Sequence, residues 1–263
     1  MKNKIAFFDI DGTLIGFNGI DLIMPESTKM SIKKFREAGN LAFICSGRQI
    51  RFILERFGQD MFDGYISCNG THIMFQGKTI YEKFISKDML LLLKNSFDKF
   101  GVSCCFNNGY KGYSHNMDSD RIKKYNAQFK GEPYLIADWS IDEIIVNSLD
   151  IFYKNEAVLA KCIEHFKESL IFNFHNDDLS ADVSLKSFGK ADAIEYIVDY
   201  LNIPIQNTYA FGDGYNDIEM IKRVNTGIAM GNAVENLKKV ADYITSNIFE
   251  DGIEKAMKAY NLI

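Results

Sequence analysis

The stretch Lys4-Ile5-Ala6-Phe7-Phe8-Asp9-Ile10-Asp11-Gly12-Thr13-Leu14 decides how this chain is read. Ile5 through Phe8, and then Ile10, have the apolar, aromatic-rich make-up of a strand buried on both faces. Asp9 and Asp11 interrupt the run where that strand ends, and Gly12 turns the chain. Two carboxylates there cost several kcal/mol each unless a cation compensates them. One reading is an acidic Asp-x-Asp-Gly turn capping a surface strand. The other is a metal ion facing a phosphate, in the crevice beyond the carboxyl ends of a parallel sheet. A helix-loop-helix calcium site is excluded: counted from Asp9, its late acidic ligand would fall on Ile20.

Outward from this stretch the chain alternates. Phe17 to Met24 reads as a loop or small flap, and Pro25 opens a helix reaching about Ala38, stopped by Gly39. Leu41 to Cys45 is a second buried strand running into Ser46-Gly47-Arg48. A helix follows with Ile50, Ile53, Leu54 and Phe57 on one face. Gly64 to Cys68 is a third strand, ended by Asn69-Gly70. Strand and helix in this order predict a parallel sheet with right-handed crossovers.

The rhythm then changes. His72 to Phe75 and Thr79 to Phe84 form a hairpin, and a helix spans Lys87 to Phe100. Short strands follow (Val102 to Phe106, Ile144 to Tyr153, Leu170 to His175, Leu179 to Leu185), with helices near Asp118 to Phe129 and Glu156 to Glu168. The parallel rhythm returns with a helix opened by Lys190. Next come the strand Thr208 to Phe211, the turn Gly212-Asp213-Gly214-Tyr215-Asn216-Asp217, and a last core strand, Thr226 to Met230. The expectation is an α/β protein: a Rossmann-like parallel core from residues 1–83 plus 186–263, with a smaller, mostly antiparallel α/β cap inserted at 84–185.

Composition narrows the function. At 263 residues, 47% hydrophobic and 25% charged, the chain can bury a large core. A net charge of −5 argues against a nucleic-acid partner. The N-terminal apolar run is broken by Asp9, too early for a signal peptide, and no run approaches membrane-spanning length. The odd set Cys45, Cys68, Cys104, Cys105 and Cys162, without a Cys-x-x-Cys pair, points to reduced thiols in the cytoplasm. His72, His115, His165 and His175 have no metal-ligand spacing and read as structural or surface residues. The basic run Arg121, Lys123, Lys124 reads as a solvated helix face, or else as the mouth of a substrate site. Nothing in the sequence speaks to the oligomeric state.

Four strand ends thus bring polar groups to one sheet edge: Asp9/Asp11, Ser46-Gly47, Asn69-Gly70 and Asp213/Asn216/Asp217. Lys190 joins them at a helix start. In this combination the chain resembles the haloacid dehalogenase-like phosphohydrolases, in particular their Cof-type branch with a large α/β cap. Asp9-Ile10-Asp11-Gly12-Thr13-Leu14 is similar to the first motif of that family, Ser46-Gly47-Arg48 to the second and Lys190 to the third. Gly212-Asp213 with Asn216-Asp217 and Met220 is similar to the fourth, followed by Met230-Gly231-Asn232-Ala233. Ala191 departs from the glycine frequent after the lysine.

The resemblance implies a Mg²⁺-dependent phosphatase of a small phosphorylated metabolite. In that reading Asp9 is the nucleophile and Asp11 the general acid and base. Asp9, the backbone carbonyl of Asp11, and Asp213 supply oxygens to the metal, with Asp217 behind them orienting a bound water. Ile10, Ser46, Gly47, Lys190 and Asn216 are the phosphate-binding positions. Polar loop residues of the cap, among them Asn107, Asn108, Tyr110, His115 and Arg121, are expected to read the leaving group. A phosphomutase of the same superfamily, or an inactive binder of phosphorylated metabolites, are the alternatives.

Overall fold

The computed structural model describes residues 3–174 and 179–263. The chain begins with β1 (Ile5–Phe8), a two-stranded ribbon of β2 (Gly16–Phe17) and β3 (Leu22–Ile23), and α1 (Glu26–Glu37). Next come β4 (Leu41–Cys45), α2 (Ile50–Phe57), β5 (Gly64–Ser67), β6 (His72–Phe75) and β7 (Lys78–Glu82). The middle of the chain is α3 (Lys87–Phe100), β8 (Ser103–Asn107), β9 (Gly112–His115), α4 (Ser119–Asn126) and β10 (Leu135–Ile136). It continues through β11 (Ser148–Phe152), α5 (Glu156–Phe166), β12 (Leu170–Phe174) and β13 (Ser180–Leu185). The last part is α6 (Lys190–Tyr200), β14 (Thr208–Gly212), α7 (Ile218–Arg223), β15 (Thr226–Ala229), α8 (Glu235–Lys238), β16 (Tyr243–Ile244) and α9 (Gly252–Ala259).

The larger sheet has the order β16-β15-β14-β1-β4-β5-β6-β7. Pairing is parallel from β16 to β5, and antiparallel only where the hairpin β6–β7 is added at one edge. β1 lies at its centre because its alternating side chains feed two cores. Ala6 and Phe8 join Ile32, Phe35, Ile253 and Met257 on one face. Ile5 and Phe7 join Ile194, Ile197 and Met220 on the other. Phe8 stacks on Phe211 of β14 with ring centroids 4.8 Å apart. The sequence marks Thr226 to Met230 as the last core strand. Tyr243–Ile244 extends the sheet by one more parallel strand, too short to show an alternation.

The smaller sheet, β10-β9-β8-β11-β13-β12, is antiparallel except for the β9–β10 pair. One face buries Cys104, Phe106, Leu149, Ile151 and Val183 against Leu93 and Phe97 of α3 and Cys162 and Phe166 of α5. α3 keeps its expected bounds because Ser86 caps it, accepting from the Met89 amide, and Gly101 ends it in the left-handed region at φ +70°. β9 and β10 were not expected from sequence, and β11 is shorter than the run Ile144 to Tyr153, its first four residues being a lead-in. The expected end of a strand at His175 lies outside the described residues, as does that histidine.

Candidate active site

The turn after β1 is wound around one carbonyl: the amides of Thr13, Leu14 and Ile15 all donate to Ile10 O. Gly12 adopts φ +84°, and a Cβ there would run into the Asp213 carboxylate. The turn is therefore seated on the end of β14. Thr13 Oγ1 donates to Asp213 Oδ1 at 2.8 Å, and Asn232 Nδ2 donates to Gly12 O at 2.8 Å. Asp9 and Asp213 are brought together by this packing, although they lie far apart in sequence.

Lys190 Nζ joins them from α6. It donates to Asp9 Oδ1 at 2.7 Å and to Asp217 Oδ1 at 2.6 Å, and all three side chains are buried. Asp217 Oδ2 accepts from the Asp213 and Gly214 amides, each at 3.0 Å. The helix start that carries Lys190 is held against the 67–71 loop: Gly70 sits at φ +103°, where a Cβ would strike the Gly189 carbonyl. Asp9, Asp213 and Asp217 each present an oxygen within 4.8 Å of the others.

Three carboxylates against one ammonium leave this buried cluster short of positive charge. Burial and then Asp217 push Asp9 well above the ordinary carboxylate range, against the pull of Lys190. Burial and then Asp217 likewise push Asp213 up to about 7. Burial opposes the charge on Lys190, but Asp217 and Asp9 outweigh it and hold the ammonium protonated. A divalent cation would relieve that deficit, and an all-oxygen donor set fits the hard, oxygen-seeking Mg²⁺.

Asp11 does not enter the cluster. Its carboxylate turns outward to Arg48, whose Nε and Nη2 donate to Asp11 Oδ2 and Oδ1 at 2.8 and 3.0 Å. Asp9, Asp11, Ser46, Gly47 and Asn216 all line one cleft of about 650 Å³. Ser46 is fixed by its amide on Ile66 O and its carbonyl on the Asn69 amide. Ile10 is fully buried and packs its side chain into the core, so only its backbone is available to a ligand.

The opposite wall of the cleft is the second face of the smaller sheet, which Tyr125, Phe129 and Tyr134 cover in part. Asp150 pairs across the strands with Asp182, and Asp182 with Asn173. Phe152 and Ser180 belong to that face, the edge strand β12 adds Phe172 and Phe174 to the lining although they alternate with Asn173, and Arg121 and Lys124 of α4 stand at the rim. The expectation that polar loops form this wall is corrected for most of them. His115 bonds Asp98, Asn108 caps its own turn, Tyr110 packs beside His72, and Asn107 is buried beneath Asp150. Of the basic run, Arg121 and Lys124 line the cleft, while Lys123 pairs with Asp120 on the surface. His72 is a buried structural residue between Ser67 and Thr79.

Asp150 Oδ2 accepts from Tyr125 Oη, Gln49 Nε2 and Asn107 Nδ2. Burial, then Asp182, pushes this carboxyl up to about 7 from an ordinary 3.8. An acid whose pKa is higher folded than unfolded loses stability as the pH climbs from the lower value to the higher. Asp150→Asn removes that penalty. The Tm of the variant relative to wild type should therefore rise between pH 5 and pH 8, and a pH-independent difference would contradict the assignment.

Comparison with known proteins now bears on this geometry. Residues 6–257 match the model of the haloacid dehalogenase-like hydrolases. This chain belongs to that family. It is 32% identical to "Putative phosphatase YkrA" of Bacillus subtilis (strain 168), with both chains covered completely. It is 28% identical to the 5-amino-6-(5-phospho-D-ribitylamino)uracil phosphatase YcsE of the same organism, covering 98% of this chain and 96% of the other. The structure of the HAD subclass IIB sugar phosphatase BT4131 superposes with a TM-score of 0.85 at 29% identity, covering 99% of this chain and all of that one. The chain is thus a haloacid dehalogenase-like phosphatase of the Cof type, acting on small phosphorylated substrates. Among the described residues, no helix is long and apolar enough to cross a membrane.

Proposed function

We propose that this phosphatase hydrolyses sugar phosphates or cofactor phosphates in the cytoplasm, in two steps through an aspartyl-phosphate on Asp9, with Mg²⁺ as cofactor. The observation that carries the reading is the placement of Asp9. It is at the cleft surface, held by Lys190, and two residues from a second carboxylate that stays out of the charged cluster. A mere binder of phosphate has no use for that second carboxylate.

In the first step an Asp9 oxygen attacks phosphorus while Asp11 gives its proton to the departing alkoxide. In the second, Asp11 takes a proton from water as the water oxygen attacks phosphorus and the Asp9 carboxylate leaves. Ser46, the Gly47 amide, Lys190 and Asn216 are assigned to hold the phosphoryl oxygens, and Ile10 contributes through its backbone. Asp9, Asp213 and the Asp11 carbonyl would hold Mg²⁺, with Asp217 behind them. The bound ion would offset the repulsion between the nucleophile and the phosphate dianion. The test is phosphate release over a panel of phosphorylated metabolites with and without Mg²⁺; no Mg²⁺-dependent release from any of them would refute the reading.

Residues 84–185 are assigned as the cap and residues 1–83 plus 186–263 as the catalytic core. The names of the relatives, one a sugar phosphatase and one acting on a phosphoribityl compound, support a polyhydroxylated leaving group for this chain too. The Asp182 and Asn173 side chains on the cap wall have the hydrogen-bonding character such a group needs. Asn173→Ala and Asp182→Asn should each lower kcat/KM for the preferred metabolite by about tenfold or more, because a polar pocket discriminates strongly. A small aryl phosphate, which reaches little of this wall, should be far less affected. Parallel losses on both substrates would make the cap a structural lid only.

A further inference from the structure

Arg48 is a cationic side chain standing between the two walls of the cleft. Its fork grips both oxygens of Asp11, while Nη1 donates to Gln128 Oε1 at 3.2 Å. The guanidinium lies over the Phe52 ring, 4.8 Å from its centroid, and Phe52 meets Phe129 edge-on at 6.4 Å. Two consecutive residues beyond α4 therefore touch Arg48, one directly and one through its aromatic platform. Burial opposes the charge on Arg48, but Asp11 beside it, and Asp182 and Asp150 across the cleft, hold the guanidinium charged. Asp11 has no other side-chain hydrogen bond among those of the described residues.

We propose that Arg48 is a positioning residue for Asp11, and that Gln128 and Phe129 of the cap set its orientation. The inference rests on the reading of Asp11 as acid and base. A bidentate arginine-carboxylate pair fixes direction as well as distance. A carboxylate so held points one oxygen consistently at the atom that gives or takes the proton. Because one of Arg48's three side-chain hydrogen bonds goes to Gln128, and Phe129 backs the Phe52 ring beneath the guanidinium, the proton-transfer geometry is complete only when the cap is seated. Arg48 itself neither gains nor loses a proton in either step.

The experiment is single-turnover kinetics with ³²P-labelled p-nitrophenyl phosphate, following the labelled enzyme. Nitrophenolate departs without a proton, so formation of phospho-Asp9 does not need a well-placed Asp11, whereas its hydrolysis does. In Arg48→Ala, formation should stay within about threefold of wild type while decay slows by about tenfold or more, part of the ~10²–10⁴ that general acid-base catalysis supplies. The labelled enzyme then accumulates. Gln128→Ala should slow decay by about threefold with formation unchanged, and added guanidinium should speed decay in Arg48→Ala. Decay at the wild-type rate, or equal slowing of both steps, overturns the positioning role. A Gln128→Ala enzyme with wild-type decay overturns the link to the cap. If Arg48→Ala does not fold, Arg48→Lys, which keeps the charge but not the fork, takes its place with the same expected split. If enzyme that releases phosphate with Mg²⁺ carries no label when quenched during turnover, either as wild type or as the Asp11→Asn variant in which decay is slowed, the Asp9 reading and this inference fall together.

Discussion

Asp9→Asn should release phosphate at least ~10⁴-fold more slowly than wild type, the scale of loss when a covalent nucleophile is removed from other enzymes. An amide oxygen is too poor a nucleophile to form the acyl phosphate. The variant should nonetheless fold. Asp9 is one of two buried carboxylates sharing a single ammonium, with Asp213 close by, and Lys190 keeps its shorter bond to Asp217 when Asp9 is neutralised. Burial and Asp217 already disfavour the charged form of Asp9, so removing that charge relieves the cluster. Its Tm should therefore equal or exceed that of wild type without metal. EDTA should abolish wild-type activity and Mg²⁺ restore it, because the repulsion Asp9 meets from a phosphate dianion is otherwise uncompensated. An Asp9→Asn enzyme within tenfold of wild type, or full activity in EDTA, would rule out attack by this carboxylate.

Much of this site was legible because carboxylates in apolar strands are costly and therefore conspicuous. Asp9 after Ile5–Phe8, and Asp213 after Thr208–Gly212, announced a charged centre at the sheet edge, and parallel topology placed both at the same edge. The same signal was present in the cap and went unread. Asp150 interrupts Leu149 and Ile151, and Asp182 interrupts Ala181 and Val183, yet these are the carboxylates that pair across the strands on the cleft face. Strand alternation gives each a polar-face position in an antiparallel sheet, so nothing local separates a solvated acid from one facing a ligand. The polar loop residues stand out in sequence only by their position within the inserted segment, with no motif to mark them. Here the loop around Asn108 and Tyr110 is occupied with its own turn and with the packing of His72. Arg48 was visible beside Ser46-Gly47, but its partner depends on how the turn after β1 folds, which spacing does not encode. The short strands β10 and β16 were missed because two residues carry no period.

Asp11→Asn should lose ~10²–10⁴ in turnover of alkyl phosphates, the usual contribution of a general acid and base. Several features of the site make this loss separable from loss of metal or substrate. The Asp11 side chain lies outside the cluster of Asp9, Asp213 and Asp217, and the contribution assigned to it there is its backbone carbonyl, which asparagine keeps. Metal affinity and KM should therefore stay close to wild type. The turn itself should persist, since its amides bond to Ile10 O and the Gly12 carbonyl to Asn232, neither of which involves the Asp11 carboxylate. Asparagine can offer Arg48 one oxygen in place of two, so some of the fork is lost, but no buried charge is orphaned because Arg48 still faces Asp150 and Asp182. What disappears is the carboxylate oxygen to which the two proton transfers are assigned. With an aryl phosphate the first step needs no proton and should be slowed much less than with an alkyl phosphate. Hydrolysis of phospho-Asp9, identical for every substrate, should be slowed for both. Equal slowing of the first step for good and poor leaving groups would mean that another group supplies the proton, and Asp11 would then be a structural partner of Arg48.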